Sequence, residues 1–210
     1  VAVLIAIPGA YLVSHFTFRG RRVIYSLSLL PFVLPSIIVV VAMIGFYGKN
    51  GLINRILGTD FNLVYNFRGI VLAHVYYNFS LAIRIIATAW SGIDTRYREA
   101  AASLGDSELG ILFRVTLPLL APAIVTAFTL VFIYSFLSFG VVLVFGGIKF
   151  ATFEVAIYRE MFINLDLPAT AAFSLLQLVF SGAFIATTTR SMFRNRAGTV
   201  DVGAALPPLS

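Results

Sequence analysis

No cysteine occurs in the 210 residues, which removes disulfides, thiolate metal sites and cysteine nucleophiles from consideration. Charge is almost as scarce. Asp, Glu, Lys and Arg make up 11% of the chain, against roughly 25% in soluble domains, while 60% is hydrophobic and the mean hydropathy is +0.96. A soluble domain of this size has no interior large enough for so much apolar surface; a bilayer supplies one. The sequence also lacks a G-x-x-x-x-G-K-[ST] phosphate cradle, so any use of ATP must fall to a partner. It lacks Asp, Glu or His clusters at metal-ligand spacing, and no nucleophile–base pair is visible. No resident metal or cofactor and no enzymatic chemistry are therefore expected of this chain. The net charge of +6 does not indicate nucleic-acid binding, because the arginines form short clusters between apolar runs rather than one basic face.

What is present is long charge-free sequence. Residues 23–48, 115–148 and 167–189 carry no charge, and 69–90 carry only Arg84. About 20 residues at 1.5 Å each cross a hydrocarbon core of about 30 Å. Spans are predicted at about 1–18, 23–46, 69–90, 118–140 and 167–189, giving an all-α integral membrane protein of about five helices. The first is apolar but short, and the chain opens at Val1 inside it, as a piece of a longer protein would. The stretch after Gly140, through Gly146-Gly147, is expected to be loop or re-entrant. Residues 197–210, with Gly198, Gly203 and Pro207-Pro208, read as a tail or a linker to a second half.

Basic residues orient the spans. One set of connections holds Arg19, Arg21, Arg22, Arg96, Arg98, Arg114, Arg190, Arg194 and Arg196; the other holds Lys49, Arg55, Arg68, Lys149 and Arg159. Nine against five places the first set in the cytoplasm. The second and fourth spans, both running outward, begin alike, with Pro31-x-x-x-Pro35 after the first basic loop and Pro118-x-x-x-Pro122 after the second. Proline suits a first helical turn, where its missing N–H has no partner to lose, so the echo reads equally as helix-start chemistry or as a repeat.

One inner connection, 91–117, differs from the others. It carries Asp94, Arg96, Arg98, Glu99, Asp106, Glu108 and Arg114 around Ala100-Ala101-Ala102 and Gly105. The alanines favour helix and Gly105 a stop, which predicts two short helices with a glycine corner, a compact cytoplasmic knob. Glu99-Ala100-Ala101, then Gly105, then Val115-x-Leu117-Pro118, resembles the EAA loop of binding-protein-dependent ABC importer permeases; the family pattern has isoleucine at the place of Val115. Ala73–Arg84, Thr152–Tyr158 and Asp166-Leu167-Pro168 are similar to the thiamine and ferric-iron permease subgroup, so the resemblance runs from about Arg19 to Arg196.

That resemblance implies the type I importer fold, with residues 1–196 as the transmembrane domain. It implies alternating access driven by a cytoplasmic ABC ATPase dimer, which would handle ATP and Mg. It also implies a periplasmic or lipoprotein solute-binding protein, a second permease half or copy, membrane lipid around the spans, and a bacterial or archaeal inner membrane. Glu99, Ala100, Ala101, Gly105, Leu117 and Pro118 would couple to the ATPase. Ferric iron or thiamine is the suggested cargo. An ion-coupled carrier or channel is the alternative, and the absence of acidic residues from the predicted spans argues against it.

Candidate path residues are His74, Tyr77, Asn78, Arg84 and Ser138. Each has a plainer reading beside it. Arg84 lies within snorkelling reach of the cytoplasmic interface, His74 near the outer end of its helix, and the tyrosines and serines serve as interfacial anchors or interhelical hydrogen-bonding groups.

Overall fold

The computed structural model describes residues 1–16, 19–20, 34–60, 62–147 and 149–200, with side chains as far as Arg190. The start of the predicted 23–46 span, Pro31, Arg21, Arg22 and the end of the tail lie outside the described residues, as do the side chains of Arg194 and Arg196. Every regular element among the described residues is helical. In order these are α1 (Ala2–His15), α2 (Ser36–Tyr47), α3 (Leu52–Leu57), α4 (Phe67–Ser91), α5 (Thr95–Ser103) and α6 (Glu108–Ile111). A π-turn (Leu112–Thr116), α7 (Leu117–Phe136), α8 (Gly140–Phe145), α9 (Phe153–Arg159), a second π-turn (Glu160–Asn164) and α10 (Leu167–Val200) follow.

Four stretches are long and apolar enough to cross a membrane: Ser36–Leu57, Phe67–Ser91, Glu108–Phe136 and Leu167–Arg190. The first predicted span is shorter than expected. α1 has 14 residues, about 21 Å of helix, yet it packs along α4 as a spanning helix would. Ala2, Ala6 and Ala10 share one buried face of α1, and Ala6 and Ala10 pack with Val3 beside Ala82, Ile83, Ile86 and Trp90 of α4, with Leu120 and Ala127 of α7. In lipid, association rests on close packing rather than on escape from water, and small residues four apart let the backbones approach.

A second cluster joins Val39, Val40 and Met43 of α2 to Ile70 and Ala73 of α4, Val141, Val142 and Phe145 of α8, and Val155 of α9. The stretch after Gly140, expected to be loop or re-entrant, thus contains a short buried helix seated against the N-terminal half of α4. In contrast, the Leu167–Arg190 stretch of α10 buries no residue, and Leu175, Leu178, Val179 and Phe180 are all exposed. Apolar all round, it suits hydrocarbon as solvent.

The fourth span differs from its predicted bounds of 118–140. It starts near Glu108, because the helix is continuous through the π-turn, and it ends at Phe136. Proline explains the turn. In a regular α-helix the Pro118 ring would strike the carbonyl of Arg114. Here the Leu117 N–H reaches back to Leu112 O, five residues away, and the wider turn accommodates the ring.

Candidate functional site

The charged connection is built by caps. Gly92 ends α4, and Asp94 opens α5 by accepting a hydrogen bond from the Arg96 N–H at 3.0 Å. α5 ends in a Schellman pair: the Gly105 N–H donates to Ala102 O at 3.0 Å and the Asp106 N–H to Ala101 O at 3.2 Å. Gly105 has φ +83°, the left-handed region, and a β-carbon added there would meet nothing within 4 Å. Its role is therefore backbone conformation, not closeness of approach within the chain. Ser107 then caps α6, its Oγ accepting from the Gly110 N–H at 3.1 Å.

Two ion pairs brace the corner, Arg98–Glu108 at 2.7 Å and Arg114–Asp106 at 3.5 Å. The first pair is solvent-exposed and contributes roughly 0–1 kcal/mol, and the second joins an exposed arginine to a half-buried Asp106. What the corner presents is a surface. α5 buries no residue, Glu99 and Ala100 are exposed, and Leu104 is 89% exposed, with Tyr97, Leu109 and Phe113 also open. Exposed leucine and aromatic side chains on a charged, well-capped corner are the chemistry of a partner-binding face.

Of the residues singled out in the sequence, Glu99, Ala100, Ala101 and Gly105 share this corner, whereas Leu117 and Pro118 stand one π-turn along the membrane helix. Behind the corner lies a groove of about 580 Å³, lined by Tyr11 and His15 of α1, Trp90, Asp94, Arg98 and Glu108 among others. The Trp90 ring meets those of Tyr11 at 5.5 Å and His15 at 5.6 Å, so α1 is clasped to the base of the corner.

The candidate path residues gather elsewhere. His74, Tyr77, Asn78 and Ser138 line one cleft of about 300 Å³ together with Ser36 and Tyr134. The buried Asn78 amide donates to His74 O at 2.9 Å and to Ser135 Oγ at 3.2 Å, a side-chain bond from α4 to α7. His74 Nδ1 lies 2.8 Å from Ile70 O, a contact that requires the proton on Nδ1 and turns Nε2 away from its own helix. Arg84, half-buried, does not line the cleft.

Sequence reasoning missed several of these groups. The caps Asp94 and Ser107 carry a local signal, a short polar residue before a helical run. Ser36 and Tyr134 carry none, since only tertiary packing brings them to α4. Glu154 was missed for the same reason. It lies outside every span, yet its carboxylate accepts from Gln177 Nε2 at 3.3 Å, and Gln177 is ten residues into α10.

Residues 2–196 match the family described as "Binding-protein-dependent transport system inner membrane component". The thiamine transport system permease protein ThiP of Haemophilus influenzae is 32% identical over 186 residues, 86% of this chain and 35% of its own length. The molybdenum transport system permease protein ModB of Escherichia coli is 34% identical over 151 residues, covering 69% of this chain and 66% of that one. In fold, the chain resembles the crystal structure of a bacterial ABC transporter that imports the acidic polysaccharide alginate: the TM-score is 0.73 at 16% identity, over 92% of this chain and 71% of that one. The chain spans about a third of the length of the thiamine permeases it matches.

Proposed function

Because the chain belongs to the binding-protein-dependent transport system inner membrane component family, we propose that it forms the membrane-spanning path of an ATP-driven importer for a small solute. Thiamine is the favoured cargo, on the strength of its similarity to the thiamine permeases. The observation that carries the reading is the corner between α4 and α7. It is a capped structure whose helix α5 buries no residue and which carries open apolar side chains, continuous at both ends with membrane-spanning helices. A partner seated on it moves two spans at once, which is the lever that alternating access requires. The partner that fits is an ABC ATPase dimer, with ATP and Mg bound there and not on this chain. A solute-binding protein would meet the opposite face, and a second permease half or copy would complete the path. The cleft holding His74, Tyr77, Asn78 and Ser138 is the proposed opening of that path. The deciding experiment is reconstitution in vesicles with the ATPase and the binding protein. ATP is expected to drive uptake, and an ion gradient without the ATPase to drive none; accumulation under the gradient alone would transfer the reading to an ion-coupled carrier.

The proposed orientation has its own test in this cysteine-free chain. Leu104 is fully open on the corner, and Asp60 is exposed on the connection after α3. With an impermeant thiol reagent applied to sealed cells, Asp60→Cys is expected to be labelled and Leu104→Cys protected. The reverse pattern would invert the topology.

Glu99 stands exposed on the outer face of α5. Its loss leaves no buried partner unsatisfied, so Glu99→Ala is expected to fold normally. It should lower recovery of the ATPase on co-purification by about three- to tenfold, the worth of one charge-assisted contact at a partner surface. Unchanged recovery would move the contact to other residues of the corner.

A further inference from the structure

We propose that the groove behind the corner seats one phospholipid with an ethanolamine headgroup, drawn from the leaflet that borders the corner. The groove runs from water into hydrocarbon. Its lip carries Asp94, Arg98 and Glu108, and its far end is walled by Ile7 and Pro8 of α1 and Leu117 of α7. Along α1 the distance from His15 to Ile7 is about 12 Å, and along the second wall from Glu108 to Leu117 it is about 13 Å. Both are close to the depth of one leaflet's hydrocarbon, roughly 15 Å or half of the core.

The depth has an independent marker. Tyr11 and Trp90 pack with their ring centroids 5.5 Å apart, and both line the groove. Tyrosine and tryptophan settle where headgroups meet hydrocarbon, because each joins an apolar ring to one polar O–H or N–H. The ring pair therefore marks the headgroup level, between the charged lip and the apolar end. Below that level the lining is apolar apart from the Thr116 hydroxyl. The volume of about 580 Å³ is that of a small-molecule pocket.

The lip chooses the headgroup. Two carboxylates and one guanidinium stand there, so an anionic headgroup meets net negative charge. Arg98 gives one N–H to Glu108 at 2.7 Å, and its guanidinium has further N–H groups for a phosphate oxygen. Asp94 and Glu108 only accept hydrogen bonds, and a primary ammonium offers three donors to them. A headgroup holding both a phosphate and a primary ammonium answers both signs. A quaternary ammonium has no N–H to give, and a phosphate alone leaves the carboxylates unanswered. A lipid so placed touches α1, the junction of α4 with α5 and the start of the helix that continues into α7, and it braces the corner at its root. The plainer account lets any lipid tail lie in the groove, with no part for the headgroup.

The test uses the complete importer, with its ATPase bound, in vesicles of phosphatidylethanolamine and phosphatidylglycerol in equal amounts. A trace of one lipid or the other carries a photoactivatable group in its acyl chain. Labelling of residues 7–15 and 108–117 is normalised to that of residues 167–190, where α10 buries no residue. In the wild type the ethanolamine probe should label the groove about fivefold more than the glycerol probe, the worth of one charge-assisted contact at a surface. Asp94→Asn keeps the helix cap, since asparagine caps as well as aspartate, and Glu108→Gln keeps the side-chain shape. Together they leave Arg98 as the one charge at the lip, and the preference should fall to parity or reverse. Thr116→Phe narrows the apolar end and should lower labelling by the ethanolamine probe. Equal labelling by the two probes in the wild type, or a preference unmoved by the double substitution, would overturn the site. So would undiminished labelling of the Thr116→Phe protein, or a groove left unlabelled because the ATPase fills it. None of these outcomes bears on the importer reading, which ATP-driven uptake tests separately.

Discussion

A Gly105→Val protein is expected to reach the membrane in normal amount, bind its ATPase poorly and lose at least roughly 90% of ATP-driven uptake. Its φ of +83° costs an ordinary L-residue about 1–2 kcal/mol, and a β-branched side chain more. Nothing within 4 Å of the added β-carbon offers compensation or obstruction, so the whole effect falls on the backbone. Relief comes by abandoning the left-handed turn, and both Schellman bonds, from Gly105 to Ala102 O and from Asp106 to Ala101 O, go with it. The last turn of α5 then unwinds, and Leu104 and the Arg98–Glu108 pair are displaced from the face they form. The corner lies outside every membrane-spanning stretch except for the α6 end, which explains why insertion should survive.

A graded series separates this account from simple disruption. Asparagine tolerates the left-handed region better than other side chains, so Gly105→Asn should retain more uptake than Gly105→Ala, and Gly105→Val least. ATPase recovery on co-purification should follow the same order. Wild-type uptake by the valine protein would remove the corner from the mechanism. An order of loss that followed side-chain size alone would point to a partner's backbone pressing on this position, since the chain itself leaves the space open.

This corner was the most legible part of the molecule, and the reason is physical. Its determinants are local: alanines that favour helix, a glycine at the position after the cap, short polar residues before each helical run. The charge-free runs were legible too, since a span needs only apolar length. Local signals fail where two segments meet. Glu154 and Gln177 are 23 residues apart, and nothing near either one announces the other. α8 resembles a loop in sequence, because a six-residue helix carries no periodicity of its own and is fixed by Val39, Met43 and Ile70 from elsewhere. The start of the fourth span was misplaced because Pro118 reads as a helix opening. The helix passes through it by changing register to a π-turn, which no hydropathy window detects. The four candidate path residues of the cleft lie on two segments, and the Asn78–Ser135 bond helps set α4 and α7 against each other there.

That bond separates a packing role from a path role. Asn78 is buried, and its amide joins His74 O on its own helix to Ser135 Oγ across the interface. Hydrogen bonds of this kind inside membranes contribute about 0.6 kcal/mol on average and up to about 1.7. Asn78→Leu keeps the volume and leaves Ser135 free to bond a carbonyl of its own helix. Its melting temperature should therefore fall only slightly, and a double-mutant cycle with Ser135→Ala should return a coupling within that range. Asn78→Asp is different in kind. It sets a carboxylate against the His74 carbonyl at a buried position, and the misfit of an unpaired buried charge amounts to several kcal/mol. It should give the largest loss of folded protein of any substitution in the cleft. Uptake then decides the function. If Asn78 only joins the helices, Asn78→Leu transports nearly as well as wild type, since its fold is intact. If Asn78 faces the moving solute, the same well-folded protein loses about tenfold in uptake, because a polar group on the path has become apolar. The open cleft around Asn78, His74 and Ser138 makes the second outcome the expected one. Full uptake by Asn78→Leu at wild-type stability would take the cleft out of the path.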